Sequence, residues 1–201
     1  MNDYPVTFDI RPEKFDRAHI FIRLLILVIL SALGGAVGWF PGLLYLGIPV
    51  LAAILISQKG PEKYLAEAES SMTQWLRYIV AFYAYLALLT DKLPSESTTD
   101  YMRFEVTPSG SPSTGNAILR IVLALPSAIV LAILWIVGTV LALIAAIMVL
   151  VQESYPDGIY SFLRALVRWE ARLLAYLASL VDQYPPFAFD TGEEAAAPTP
   201  P

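Results

Sequence analysis

Two stretches of this chain, Leu24 to Gln58 and Ile121 to Gln152, contain no Asp, Glu, Lys, Arg or His. Both are apolar all round rather than on one face, the pattern expected where lipid instead of water surrounds a helix. Both also exceed the about 18 residues of a transmembrane candidate. A straight helix of about 35 residues would extend roughly 50 Å, well beyond a hydrocarbon core of about 30 Å. Each run therefore predicts a hairpin. The first break falls at Gly38-Trp39-Phe40-Pro41-Gly42, where helix breakers meet interfacial aromatics. The second is expected near Trp135 to Thr139. Legs of about 17 residues sit at the short end for a span, so re-entrant hairpins stay open beside four full spans.

Around these runs the chain repeats itself. VTFDIRP (Val6 to Pro12) returns as MRFEVTP (Met102 to Pro108), with Phe8 over Phe104 and Asp9 over Glu105. Both segments alternate like short strands. An arginine, Arg23 or Arg120, leads into each uncharged run, and each half closes alike, AYLALLTDKLP (Ala84 to Pro94) against AYLASLVDQYP (Ala175 to Pro185). The same register sets Arg77-Tyr78 over Arg168-Trp169. The expected organisation is a first repeat over 1–94 (hairpin 19–58, amphipathic helix 62–92) and a linker over 95–100. A second repeat over 101–190 follows (hairpin 116–152, amphipathic helix 157–183), then a disordered tail over 191–201. The fold class is all-α integral membrane protein, with two parallel-topology repeats, each a short strand, a transmembrane helical hairpin and an interfacial amphipathic helix.

In the second amphipathic helix Arg164, Arg168 and Arg172 recur every four residues and form a basic stripe. With Trp169 and Tyr176 as anchors, such a helix suits the headgroup layer. Arg23, Arg120, Arg164, Arg168 and Arg172 are accordingly candidate lipid-headgroup contacts, set against the plainer reading that they snorkel or serve packing. Asp91 and Asp182 stand at matching helix ends, each three residues before a proline, where a carboxylate can accept backbone hydrogen bonds or pair with a repeated arginine. Ser31 with Gly35, and Gly34 with Gly38, have the small-xxx-small spacing of close helix contacts.

Composition agrees with the membrane class: 57% hydrophobic, 15% charged, mean hydropathy +0.60. The polar first eighteen residues do not read as a cleaved signal peptide. With no cysteine and His19 as the single histidine, thiol chemistry and the usual zinc sites are not expected. A net charge of −5 argues against nucleic acid. No nucleophile elbow, P-loop or dinucleotide fingerprint occurs, so neither a catalytic residue nor a cofactor is assigned. Basic residues, among them Arg11, Lys14, Arg17, Lys59, Lys63, Lys92 and Arg103, flank the runs while the turns are charge-free, which puts both termini in the cytoplasm.

The string DQYPPFAFD (Asp182 to Asp190) and the YPDGIYSFLRALVRWEARLLAYLASLV before it resemble a prokaryotic membrane family known as domain of unknown function 4389. Tyr4-Pro5-Val6-Thr7-Phe8 is similar to that family's opening strand. In the second module Tyr155-Pro156, Arg168-Trp169, Tyr176 and Tyr184-Pro185-Pro186-Phe187 look like its landmarks, with Arg77, Asp91, Trp169 and Asp182 as structural motif residues. The first module departs from the pattern, with Gly60-Pro61, Tyr78 and Leu93-Pro94-Ser95 at the corresponding places. The resemblance implies a membrane fold and no particular activity. Physically, Pro185 and Pro186 stop the helix, and Phe187 to Asp190 alternates like a short edge strand.

The expected function is a non-enzymatic scaffold or accessory subunit of a membrane complex at the plasma membrane, with the lipid bilayer and a protein partner or second copy as its contacts. A transporter or channel formed by oligomerisation and an anionic-lipid-binding protein are the alternatives.

Overall fold

The computed structural model describes residues 4–12, 15–32, 39–68, 71–94, 98–152 and 154–191. The chain is mostly helical, with a small two-stranded sheet. Its order is β1 (Val6–Ile10), α1 (Arg17–Ala32), α2 (Trp39–Lys59), α3 (Pro61–Ala66), α4 (Met72–Leu86), β2 (Met102–Val106), α5 (Thr114–Leu123), α6 (Leu125–Gln152) and α7 (Asp157–Leu177).

The two strand-like openings pair with each other, antiparallel, with Phe8 opposite Phe104 and Asp9 opposite Arg103. Alternation decides the buried face: Val6, Phe8 and Ile10 are buried while Thr7 and Asp9 are partly exposed. β1 packs on α7, from the other end of the sequence, and β2 packs on α4. The same crossing recurs among the apolar helices, α1 against α6 and α2 against α5.

Two helices are long and apolar enough to cross a membrane, within Gly42–Lys59 and Leu125–Gln152, and only 28% and 17% of them is buried. The core helix of a soluble protein would be mostly buried. Here Ile129, Ile133, Ile136, Val140, Leu143 and Ile147 form a continuous exposed stripe along α6, and Leu43, Leu46, Val50 and Ile54 do so on α2.

Several expectations are corrected. The second uncharged run does not turn at Trp135 to Thr139: α6 runs unbroken through it, and the interruption lies earlier, at Ala124. Pro126 supplies the physical reason, because it has no N–H for the carbonyl four residues back. At the expected break Thr139 instead bonds back to the Trp135 carbonyl at 2.8 Å, and Gly138 lets α7 come close. Second, the stretch 62–92 is not one helix but α3 and α4. Third, Phe187 to Asp190 is not a strand. The segment lies along α7, with Phe187 edge-on to Trp169 and Phe189 against Phe162. Gly34, Gly35 and Gly38, and the tail from 192, lie outside the described residues.

α7 is not a surface helix either. It is buried almost end to end, packed by α2, α4, α5, α6 and β1. Gly138 marks the tightest approach, since a Cβ there would lie 2.8 Å from Leu166 Cδ2 and 3.3 Å from Leu163 Cδ2. Gly138→Leu should therefore lower stability by about 1–3 kcal/mol in detergent unfolding, whereas Gly47→Leu, with nothing within 4 Å, should change it by less than about 0.5 kcal/mol.

Candidate functional site: two arginine clasps and a buried glutamate

α4 and α7 end in the same way. Leu88 (φ 61) and Ser179 (φ 56) adopt the left-handed conformation just past the C-cap. The Leu89 N–H then reaches the Ala84 carbonyl at 2.9 Å, and the Leu180 N–H reaches Ala175 at 3.2 Å. This closing turn satisfies some of the orphan carbonyls of a helix end, but not all.

An arginine satisfies the remainder in both places. Arg23, from α1, donates through Nε to the Tyr85 carbonyl at 2.9 Å, to the Thr90 carbonyl, and to Asp91 Oδ1 at 2.8 Å. Arg120, from α5, donates to the carbonyls of Tyr176 and Val181, both at 2.6 Å, and to Asp182 Oδ1 at 2.5 Å. Each guanidinium also lies 4.5 Å from a tyrosine ring centroid, Tyr85 or Tyr176. The second oxygen of each carboxylate holds the chain entering the apolar helix: Asp91 accepts from the Asp16 N–H at 2.5 Å and Asp182 from the Ser111 N–H at 3.1 Å. Beside Asp182, Gly110 (φ +91) leaves no room for a Cβ.

The other arginines expected at headgroups are also turned inward. Arg168, 1% exposed, donates through Nε to the Phe8 carbonyl at 3.0 Å and through Nη1 to the Asp190 carbonyl at 2.9 Å. Its counterpart in the sequence register, Arg77, donates to the Phe104 carbonyl at 3.3 Å. Arg164 reaches the Thr191 carbonyl at 3.0 Å and lies 3.8 Å from Asp9. Arg172 sits over the Tyr4 ring. The basic stripe on α7 thus seats β1 and the closing segment, whose Tyr184 hydroxyl shares a 2.7 Å hydrogen bond with Ser127 and whose ring stacks on Phe187. Pro185 is buried and Pro186 partly so. Trp169 is buried against Phe187.

Sequence reasoning missed Glu170. Two residues from both Arg168 and Arg172, it is rotated about 200° from each and so faces away from the stripe. It is 1% exposed, accepting from the Tyr45 hydroxyl of α2 at 2.8 Å and from Trp135 Nε1 of α6 at 3.3 Å. Burial pushes its carboxyl up from 4.5 to about 7, against the smaller opposing effects of those two donors. Among the described residues the Tyr83 hydroxyl of α4 is buried without a hydrogen-bond partner, and it is raised first by burial and second by the Glu170 charge. The legible signal was an acid set opposite three arginines on one helix. What it faced was not legible.

Residues 115–188 match the family described as Domain of unknown function (DUF4389). Over that segment, a little more than a third of the chain, this protein is similar to the DUF4389 family. That DUF4389 match takes in most of α5 with all of α6, α7 and the turn beyond, so it contains Arg120, Asp182, Trp135 and Glu170. Arg23, Asp91, Tyr45 and β1 lie before it. No curated protein and no solved structure matches the chain.

Removing either clasp arginine leaves a carboxylate and helix-end carbonyls without their donor. Arg23→Ala and Arg120→Ala should each cost about 3–5 kcal/mol in detergent unfolding. Asp91→Ala should cost more than Asp182→Ala, because the Asp91 side chain is 12% exposed and that of Asp182 48%.

Proposed function

We propose that this protein is a non-enzymatic scaffold or accessory subunit of a membrane complex, built from two interlocked copies of one module. The observation that carries the reading is the division of its surface. Many apolar side chains of α1, α2, α5 and α6 point outward, while the arginines and the glutamate of α7 are turned inside the protein. A molecule of this kind keeps its charges inward and offers lipid or a partner an apolar side.

Matching interactions support the two-module reading. Arg23 with Asp91 has its counterpart in Arg120 with Asp182, and Arg77 on the Phe104 carbonyl has its counterpart in Arg168 on the Phe8 carbonyl. In this reading 1–94 and 101–190 exchange strands across the β1–β2 pair, and the chain is a multi-pass protein of a prokaryotic plasma membrane. The basic residues flanking its apolar runs support a cytoplasmic location for both termini. The inward placement of Arg164, Arg168 and Arg172 favours scaffold over anionic-lipid receptor, since a headgroup would have to displace protein acceptors.

Purification in mild detergent followed by native mass spectrometry tests the proposal. A second copy or a distinct membrane protein should remain attached. A bare monomer, or ion flux across proteoliposomes containing the protein alone, would overturn it.

A further inference from the structure

We propose that Glu170 is a proton-binding site, a carboxyl that gains and loses a proton between packed helices and so sets how firmly α7 holds α2 and α6. The geometry is that of a built site. The carboxyl lies on the one helix packed by α2, α4, α5, α6 and β1, and it takes one donor from each of the two long apolar helices: Tyr45 from α2 and Trp135 from α6. Because both oxygens already accept, the site presents donors and suits an anionic carboxylate or its acid, not a metal cation.

Among the described residues the groups around it leave the charge without a cationic partner at hand. α2 brings Tyr45 and α4 brings Tyr83, neither of them cationic; α6 has no charged residue at all. The arginine that α5 brings, Arg120, is turned to Asp182, and β1 brings Asp9 beside Arg164 and Arg168 on the far side of α7. On α7 itself those arginines and Arg172 face away from Glu170. An ionised Glu170 is therefore a buried charge held by hydrogen bonds alone, which is costly. Adding a proton removes that cost.

The direction follows from linkage. The carboxyl titrates near 7 in the folded protein and near 4.5 when unfolded, so between those values the folded state holds a proton that the unfolded state gives up. Stability falls as pH rises through that interval, and the loss is complete above about 7. The carboxylate then holds α2 and α6 less firmly against α7. This inference does not depend on the scaffold reading.

Infrared difference spectra of the detergent-solubilised protein across this pH range test it. The C=O stretch of one buried protonated carboxyl should grow as pH falls through about 7 and be missing in Glu170→Gln. The thermal midpoint should drop with rising pH in the wild type and stay flat over the same range in Glu170→Gln. Tyr45→Phe removes a donor to the ionised form and should move the titration midpoint upward by on the order of one pH unit. Wild-type and Glu170→Gln spectra that superimpose would sink the proposal. If Glu170→Gln does not fold, the Tyr45→Phe midpoint decides: an upward shift upholds the proposal and an unmoved midpoint overturns it.

Discussion

Helix ends that lie inside a protein must have their carbonyls satisfied, and the rest of this architecture depends on how that is done. α4 and α7 both stop in the interior, where water cannot solvate their last turn. Arg23 and Arg120 reach in from α1 and α5 to take up those carbonyls, aided by the attraction between a cation and the negative end of a helix dipole. Each guanidinium is held in turn by the aspartate that follows the helix. The same aspartate fixes the chain leading into the apolar helix, so one ion pair sets both where the inner helix ends and where the outer one begins.

This arrangement explains why so apolar a chain keeps its charges. A buried ion pair is weak evidence for stability as such, because removing two charges from water offsets much of their attraction. Its geometric consequence is stronger. A planar guanidinium with several donors can hold two backbone carbonyls and a carboxylate together, which a lysine ammonium does less well. Arg168 and Arg77 apply the same chemistry to the strands, each donating to the carbonyl of a strand's central phenylalanine, Phe8 and Phe104. α7 is thereby covered by β1 and α4 by β2.

Glu170 stands apart from this pattern. The arginines of α7 are directed to β1 and the closing segment, while the single acid of the helix interior is directed to the apolar helices with only neutral donors around it. Buried ionisable groups lacking a countercharge are where folded proteins most often hold a proton near neutral pH. Its position links the inner helix to both long outer ones, so a change in its charge acts on the contact that the exposed apolar surface depends on.

Much of the architecture was written in the sequence. Two long uncharged runs predicted apolar helices, and α2 and α6 lie within them, because hydropathy over that length is set by composition alone. Alternation around Phe8 and Phe104 predicted two strands, which form a pair. Local chemistry also marked the helix ends, through a repeated Asp before a repeated Pro. Which partner each charge would find was not available, because Arg23 lies 68 residues from Asp91 and Arg120 lies 62 from Asp182. Periodicity showed a basic stripe on α7 but could not tell a water-facing stripe from one covered by a strand and a returning tail. It equally could not show that Gly138, read as a break, is where two helices touch. The sequence by itself determined which segments are apolar and where helices can stop; only the tertiary structure decided what covers α7 and which groups surround Glu170, since those contacts join residues far apart along the chain.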